Sequence, residues 1–288
     1  LVTSRAPARA WGAMAAGAPR ALGRGPSRGP GLPRGARRSG PYAPAASGGP
    51  GPGGRVERAA SLEGAEAAAA RQELFNNVAP AYDELNDLLS LGQHRVWKRA
   101  AVQWAGAKPG SACLDVCTGS GDIALLLADA AGPRGSVRAL DFASELLGVA
   151  AQRERAEPPA VRRRRPGVQW VEGDALAMPF GDASFDCATM GYGLRNVSDR
   201  PRALRELWRV LRPGGTAAVL DFNNSEDFFV RGVQGWALDN VVVPVARARG
   251  LEAEYEYLKP SIEQFPVGRE QRGMAKEAGF QRAVHYEL

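Results

Sequence analysis

Residues 114–124, LDVCTGSGDIA, hold the densest chemistry in the chain. An apolar run carries Asp115, Gly119 and Gly121 flank Ser120 in a turn, and Asp122 opens an apolar helix. Glycines in such a turn let a ligand approach the backbone, and the free N–H groups of the helix start face it. Gly119-x-Gly121-x-x-Ala124 also matches the dinucleotide fingerprint, with Asp141 about 20 residues on, where a ribose-binding acid belongs.

Charge separates the ligand classes. A pyrophosphate on the helix N-terminus would meet the carboxylates of Asp115 and Asp122, which disfavours a dinucleotide oxidoreductase. S-adenosylmethionine has no phosphate and carries a sulfonium and an ammonium, so it meets no such conflict. On this reading Asp115 helps hold the ammonium, directly or through water, and Asp141 accepts both ribose hydroxyls. Asp174, in Glu172-Gly-Asp-Ala-Leu-Ala-Met-Pro-Phe180, would meet the adenine rim. The plainer readings are a first-turn charge for Asp122 and a loop cap for Asp174.

The elements that must position these residues alternate. Strands are expected at 112–116, 137–140, 168–172, 185–190 and 216–220, with helices at 122–130, 144–152 and 201–210 between them. Strands joined by single helices make right-handed βαβ units and a mainly parallel sheet with helices on both faces. Short helices broken at Pro80 and Gly92 are expected over 71–105, ahead of the sheet. Further helices are expected at 227–239, 251–258 and 267–278, and a last strand at 282–287. Residues 153–167, with Pro158-Pro159 and the run Arg162–Arg165, read as a solvated insertion.

The net charge of +6 is misleading. Residues 1–55 hold nine arginines and no acid, which leaves 28 basic against 31 acidic residues in the remainder. The global charge is therefore no argument for nucleic acid. All but eight positions of residues 1–54 are Ala, Gly, Pro, Ser or Arg, so residues 1–55 are expected to be a disordered, transit-peptide-like tail. Residues 56–70 read as a linker or lead-in helix. Three cysteines without a CxxC pair argue against a disulfide framework or a zinc site, and no ligand cluster suggests another metal. No apolar run approaches the ~18 residues of a membrane span, so any membrane contact would be peripheral.

Three motifs in order resemble the ubiquinone/menaquinone-biosynthesis C-methyltransferase family: YDELNDLLSLGQHRVWK at 82–98, GYGLRNV at 191–197 and RVLRPGGTAAVLDF at 209–222. The last ends in Asp221-Phe222, where bacterial members typically have Glu-Phe-Ser. The resemblance covers residues 71–288 and is nearest to the plant and algal branch, which acts on demethylphylloquinol in plastids. It implies a class I S-adenosylmethionine-dependent methyltransferase fold, Rossmann-like, methylating a ring carbon of a prenylated naphthoquinol. Its cofactor contacts would fall on Ser120, Asp141, Asp174-Ala175 and Gly191, alongside Asp115, Gly119 and Gly121. Arg195 would stabilise a phenolate, or else form a salt bridge to a neighbouring helix, and Asn196 and Tyr82 would meet the second quinol oxygen. His94 would act as base or orient an oxygen, or else hold the loop after Gly92. A mitochondrial benzoquinol enzyme and a non-catalytic assembly subunit are the competing readings. The family's sheet closes with an antiparallel strand after the one at 282–287, so this sequence is expected to lack its last strand and to be a fragment at both ends.

Overall fold

The computed structural model describes residues 1–5, 93–222, 224, 232, 235–236, 240, 244 and 261–287. The expected leader beyond Arg5, the lead-in helix, Tyr82 and the helix expected at 251–258 lie outside the described residues. Elements are numbered here among those described. They are β1 (Val2–Ser4), α1 (Gln93–Ala105), β2 (Ala112–Val116), α2 (Asp122–Ala131), β3 (Ser136–Asp141) and α3 (Ser144–Ala156). Then come α4 (Pro159–Arg162), β4 (Val168–Glu172), β5 (Phe185–Gly191), α5 (Arg200–Val210), β6 (Leu211–Leu220), α6 (Gly268–Glu277) and β7 (Arg282–Val284).

The seven strands form one sheet in the order β4-β3-β2-β5-β6-β1-β7. Pairings among β2 to β6 are parallel, as the βαβ alternation requires. A parallel sheet is covered on both faces, so its strands are apolar on both sides. Leu114, Val116, Ala188 and Met190 pack with Leu204 and Leu207 of α5 and Ala275 of α6. The alternate residues Cys113 and Cys187 pack with Val102 of α1 and Ile123 and Leu127 of α2 on the other face. Asp199 caps α5, its carboxylate accepting from Arg202 N at 2.9 Å, and Pro201 sits in the first turn, where its missing N–H costs nothing.

The sequence reading is corrected at two places. The first five residues are not a disordered tail. Val2–Ser4 runs antiparallel between β6 and β7, with Thr3 opposite Ala217 on one side and Ala283 on the other. The place expected to be vacant is therefore filled by the start of this same chain. Leu1, Val2 and Thr3 are three of the eight residues that break the low-complexity composition, and that cluster of β-formers was the missed signal. Arg5 fastens the strand. It is buried, lies 4.0 Å over the Trp208 ring, and its guanidinium donates to the carbonyls of Trp208, Arg209 and Leu211. A cation placed there satisfies carbonyls that the end of α5 leaves without helical partners.

The second correction concerns residues 153–167. Helix α3 runs on to Ala156, and Arg165 is buried and ion-paired with Asp129 and Glu157. Arg162, Arg163 and Arg164 are exposed. Among the described residues no helix is long and apolar enough to cross a membrane.

Because β1 is paired on both sides, a proline within it removes a ladder donor and clashes with the pleat. Thr3→Pro is expected to cost about 3 kcal/mol in chemical denaturation. A stability within about 0.5 kcal/mol of wild type would show that β1 contributes little to the sheet.

Candidate functional site

The carboxyl ends of the parallel strands form the edge where open α/β sheets bind ligands. Three chain turns meet there: 117–121 after β2, 142–143 after β3, and 192–196 after β5. In the first turn Cys117, Gly119 and Gly121 all have positive φ, at 55°, 55° and 88°. A Cβ on Gly121 would lie 2.6 Å from the Trp170 ring and 2.9 Å from Ala150, so this glycine lets α2 and α3 pack. A Cβ on Gly119 would meet nothing within 4 Å. Gly119 therefore presents bare backbone to open space. On Gly191 a Cβ would stand 2.4 Å from Ile123, so this glycine lets β5 pass under α2.

Asp141, at the end of β3, is 5% exposed. Its Oδ2 accepts from Gly119 N at 2.7 Å and its Oδ1 from Ala143 N at 3.0 Å. Burial raises its pKa, opposed by these backbone donors. Gly173 N donates to the Asp141 carbonyl at 2.9 Å, which ties in the loop after β4. Asp174 in that loop is exposed and caps it, accepting from Leu176 N at 2.8 Å, and Ala175 beside it is buried. Ser120 is buried, and its carbonyl accepts from Arg153 at 3.1 Å.

The charges differ from the sequence reading. Asp122 is not a bare carboxylate beside the turn: Lys98 pairs with it at 2.5 Å and Arg153 at 2.6 Å, and together they hold its pKa down against burial. Asp115 is 1% exposed, with Thr118 Oγ1 donating to one oxygen and Thr189 Oγ1 to the other, each at 2.6 Å. Burial pushes its pKa up to about 6. The repulsion argument against a phosphate ligand thus loses Asp122, which is ion-paired, and keeps only Asp115, withdrawn beneath the turn behind two hydroxyl donors. Negative charge still gathers at the turn. Burial raises the Cys117 thiol well above its usual value, and Asp141, Asp115, Asp221 and Asp174 add to the shift.

At the β5 end, Tyr192 has φ 55° and its N–H donates to Leu220 O at 2.6 Å. Its carbonyl accepts from Arg195 Nη1 at 2.8 Å and Asn196 Nδ2 at 3.1 Å. Arg195 is buried and paired with Asp221 at 2.7 Å. This is the ion-pair reading foreseen for Arg195, with a partner in the segment after β6 rather than on a helix. Asn196 Oδ1 is buried without a hydrogen-bond partner among the described residues. Asp221 was missed as a site residue, although the sequence marked it as the departure from the bacterial motif.

His94 is buried in the first turn of α1. It lines a groove of about 380 Å³ on the outer side of α2 with Arg95, Lys98, Asp122, Arg153 and Arg165, a lining that includes neither Arg195 nor Asn196. His285 packs against Gly268 at the start of α6, and burial lowers its pKa.

The comparisons give this edge its context. Residues 64–288 match the ubiE/COQ5 methyltransferase family, and the chain belongs to that family. It is 54% identical over 218 residues to the chloroplastic 2-phytyl-1,4-beta-naphthoquinone methyltransferase of Arabidopsis thaliana, covering 76% of this chain and 82% of that one. It is 51% identical over 215 residues to the 2-phytyl-1,4-naphtoquinone methyltransferase of Trichormus variabilis, covering 75% and 92%. A SAM-dependent methyltransferase from Thermotoga maritima shares the fold at 20% identity, with a TM-score of 0.51 over 73% of this chain and 81% of that one.

Two expectations follow. Gly121→Ala should cost about 2 kcal/mol or more of stability, because it combines a left-handed φ with a clash against Trp170. Gly119→Ala should cost only the backbone strain, about 1–2 kcal/mol, yet weaken S-adenosylmethionine binding by about tenfold or more, read by denaturation and calorimetry. Equal effects of the two substitutions on stability and affinity would contradict this division.

Burial pushes the Asp115 carboxyl from its ordinary 3.8 up to about 6, so the native state holds its proton more tightly than the unfolded state. Its contribution to stability is full below about pH 4 and is lost as pH rises to about 6. Asp115→Asn keeps the shape without the charge. It should raise the melting temperature at pH 7.5 and change it little at pH 4. Equal shifts at both pH values would remove the electrostatic explanation.

Proposed function

We propose that this protein transfers a methyl group from S-adenosylmethionine to a ring carbon of 2-phytyl-1,4-naphthoquinol, in phylloquinone biosynthesis and in a plastid. The observation that carries the reading is the 54% and 51% identity, over three-quarters of the chain, to a plant and a cyanobacterial enzyme named for that substrate. The chloroplast address of the Arabidopsis relative supports the compartment.

The residues fit the cofactor. Gly119 offers backbone beside open space, Asp141 stands at the strand end where ribose hydroxyls would meet it, and the Asp174-Ala175 loop is tied to the same point. Ser120 and Gly191 complete the rim. The concentration of carboxylates around Cys117 suits a cationic ligand. Asp115 acts by holding Thr118 rather than by touching the ammonium.

When bound, S-adenosylmethionine supplies an electrophilic methyl on a sulfonium. The acceptor must be electron-rich, which a quinol ring is and a quinone ring is not. Arg195 stabilises negative charge developing on a substrate oxygen. The buried Asn196 Oδ1 supplies an acceptor for a substrate hydroxyl, satisfying an atom that is costly to leave unpaired. Tyr82 is assigned to the second quinol oxygen, and His94 to orienting an oxygen or holding the loop after Gly92, both as expected from the sequence.

The test is methyl transfer from labelled S-adenosylmethionine to demethylphylloquinone with and without reductant, with a polyprenyl benzoquinol in parallel. Label should enter the reduced naphthoquinol alone. Label in the benzoquinol would move the protein to the ubiquinone pathway, and label in the oxidised quinone would overturn the electron-rich-carbon mechanism. With S-adenosylmethionine bound but no label in any acceptor, the non-catalytic reading would replace this one.

A further inference from the structure

Asp221 lies just past the end of β6 and is 3% exposed in its side chain, against 6% for Arg195. Its two oxygens hold Arg195 at both ends. Oδ1 accepts from Arg195 Nη1 at 2.7 Å, and Oδ2 accepts from the Arg195 backbone N–H at 3.0 Å. Oδ1 also accepts from Phe222 N at 2.9 Å, which fixes the carboxylate against its own backbone. The guanidinium then lies 4.9 Å over the Phe222 ring and reaches the Tyr192 carbonyl. That carbonyl also receives the Asn196 amide. One carboxylate thus sets the turn Leu194–Asn196, the rotamer of Arg195 and, through Tyr192, the direction of Asn196.

We propose that Asp221 is a positioning residue for methyl transfer, acting through Arg195 and the Tyr192 carbonyl to present both side chains to the substrate oxygen. This rests on the reading of Arg195 and Asn196 given above. The chemistry supports a placed, neutralised guanidinium. A buried arginine without a counter-charge is costly, whereas the paired one admits a neutral quinol and still offers directed N–H groups as the oxygen becomes negative. The hydrogen bonds from the Arg195 backbone and Phe222 make the geometry rigid, and catalytic rates are sensitive to misplacements of about 1 Å.

The test uses the full chain and reduced naphthoquinol. Asp221→Asn should lower kcat by ~10- to 100-fold while S-adenosylmethionine affinity stays within about threefold, a split that general unfolding would not produce. Asp221→Glu keeps the charge and should recover most of the rate. The double variant Asp221→Asn/Arg195→Met should be no slower than Arg195→Met alone within about twofold, because the two act as a unit. Wild-type kcat in Asp221→Asn, parallel loss of kcat and cofactor affinity, or multiplicative losses in the double variant would each overturn the proposal. If wild type methylates the benzoquinol instead, the substrate reading fails and the same cycle on that acceptor still decides the role of Asp221. If wild type methylates neither, hydrogen exchange at the Arg195 amide decides. Exchange about tenfold faster in Asp221→Asn supports the positioning contact, and unchanged exchange overturns it.

Discussion

The carboxylate of Asp141 is the fastening on which this site depends. It takes the Gly119 N–H on one oxygen and the Ala143 N–H on the other, while its own carbonyl takes Gly173 N–H. The turn after β2, the end of β3 and the loop after β4 therefore hang from one residue. A buried carboxylate is costly unless donors surround it, and here the donors are backbone groups that the turns would otherwise leave unpaired. The satisfaction is mutual: Asp141 needs the turn, and the left-handed turn at Gly119 needs Asp141.

The other carboxylates of this edge are each compensated differently, and the difference sets what each can do. Asp115 is quenched by two threonine hydroxyls and sits so deep that its proton is held to about pH 6, which suits a structural brace. Asp122 is neutralised by Lys98 and Arg153 on the helix side. Asp221 is matched to Arg195. Asp174 spends one oxygen on its own loop and remains exposed. The two acids flanking the glycine turn in sequence differ in kind: Asp122 is ion-paired, whereas Asp115 is buried behind two hydroxyl donors.

The far side of the sheet meets a different demand. A parallel β6 with nothing beside it would expose a row of N–H and C=O groups. The segment Val2–Ser4 pairs with β6 and β7 at once, and Arg5 closes the end of α5 beneath it. An apolar pair of residues, a buried threonine and a stacked guanidinium suffice, because the slot supplies the rest of the hydrogen-bonding pattern.

Much of this was legible in the sequence. The strands at 112–116 and 168–172 fall where alternation and turn residues placed them, and the other central elements differ by a few residues at their ends. The glycine turn, Asp141 and Arg195 announce themselves by residue type and position after a strand, and the family follows from three local motifs. What the sequence could not decide was pairing at a distance. Whether Asp122 is bare or matched depends on Lys98, 24 residues away, and on Arg153, 31 residues away. Arg195 meets Asp221 only because β5 and β6 are neighbours. Val2–Ser4 carries too few residues to show a period, and its fate is set by a vacancy more than 200 residues downstream. Local propensity and spacing are properties of the chain, so the sequence by itself determined the elements, the order of the turns and the chemical class of the site. Charge compensation, burial and edge pairing arise only when distant segments share space, and these the tertiary structure alone decided.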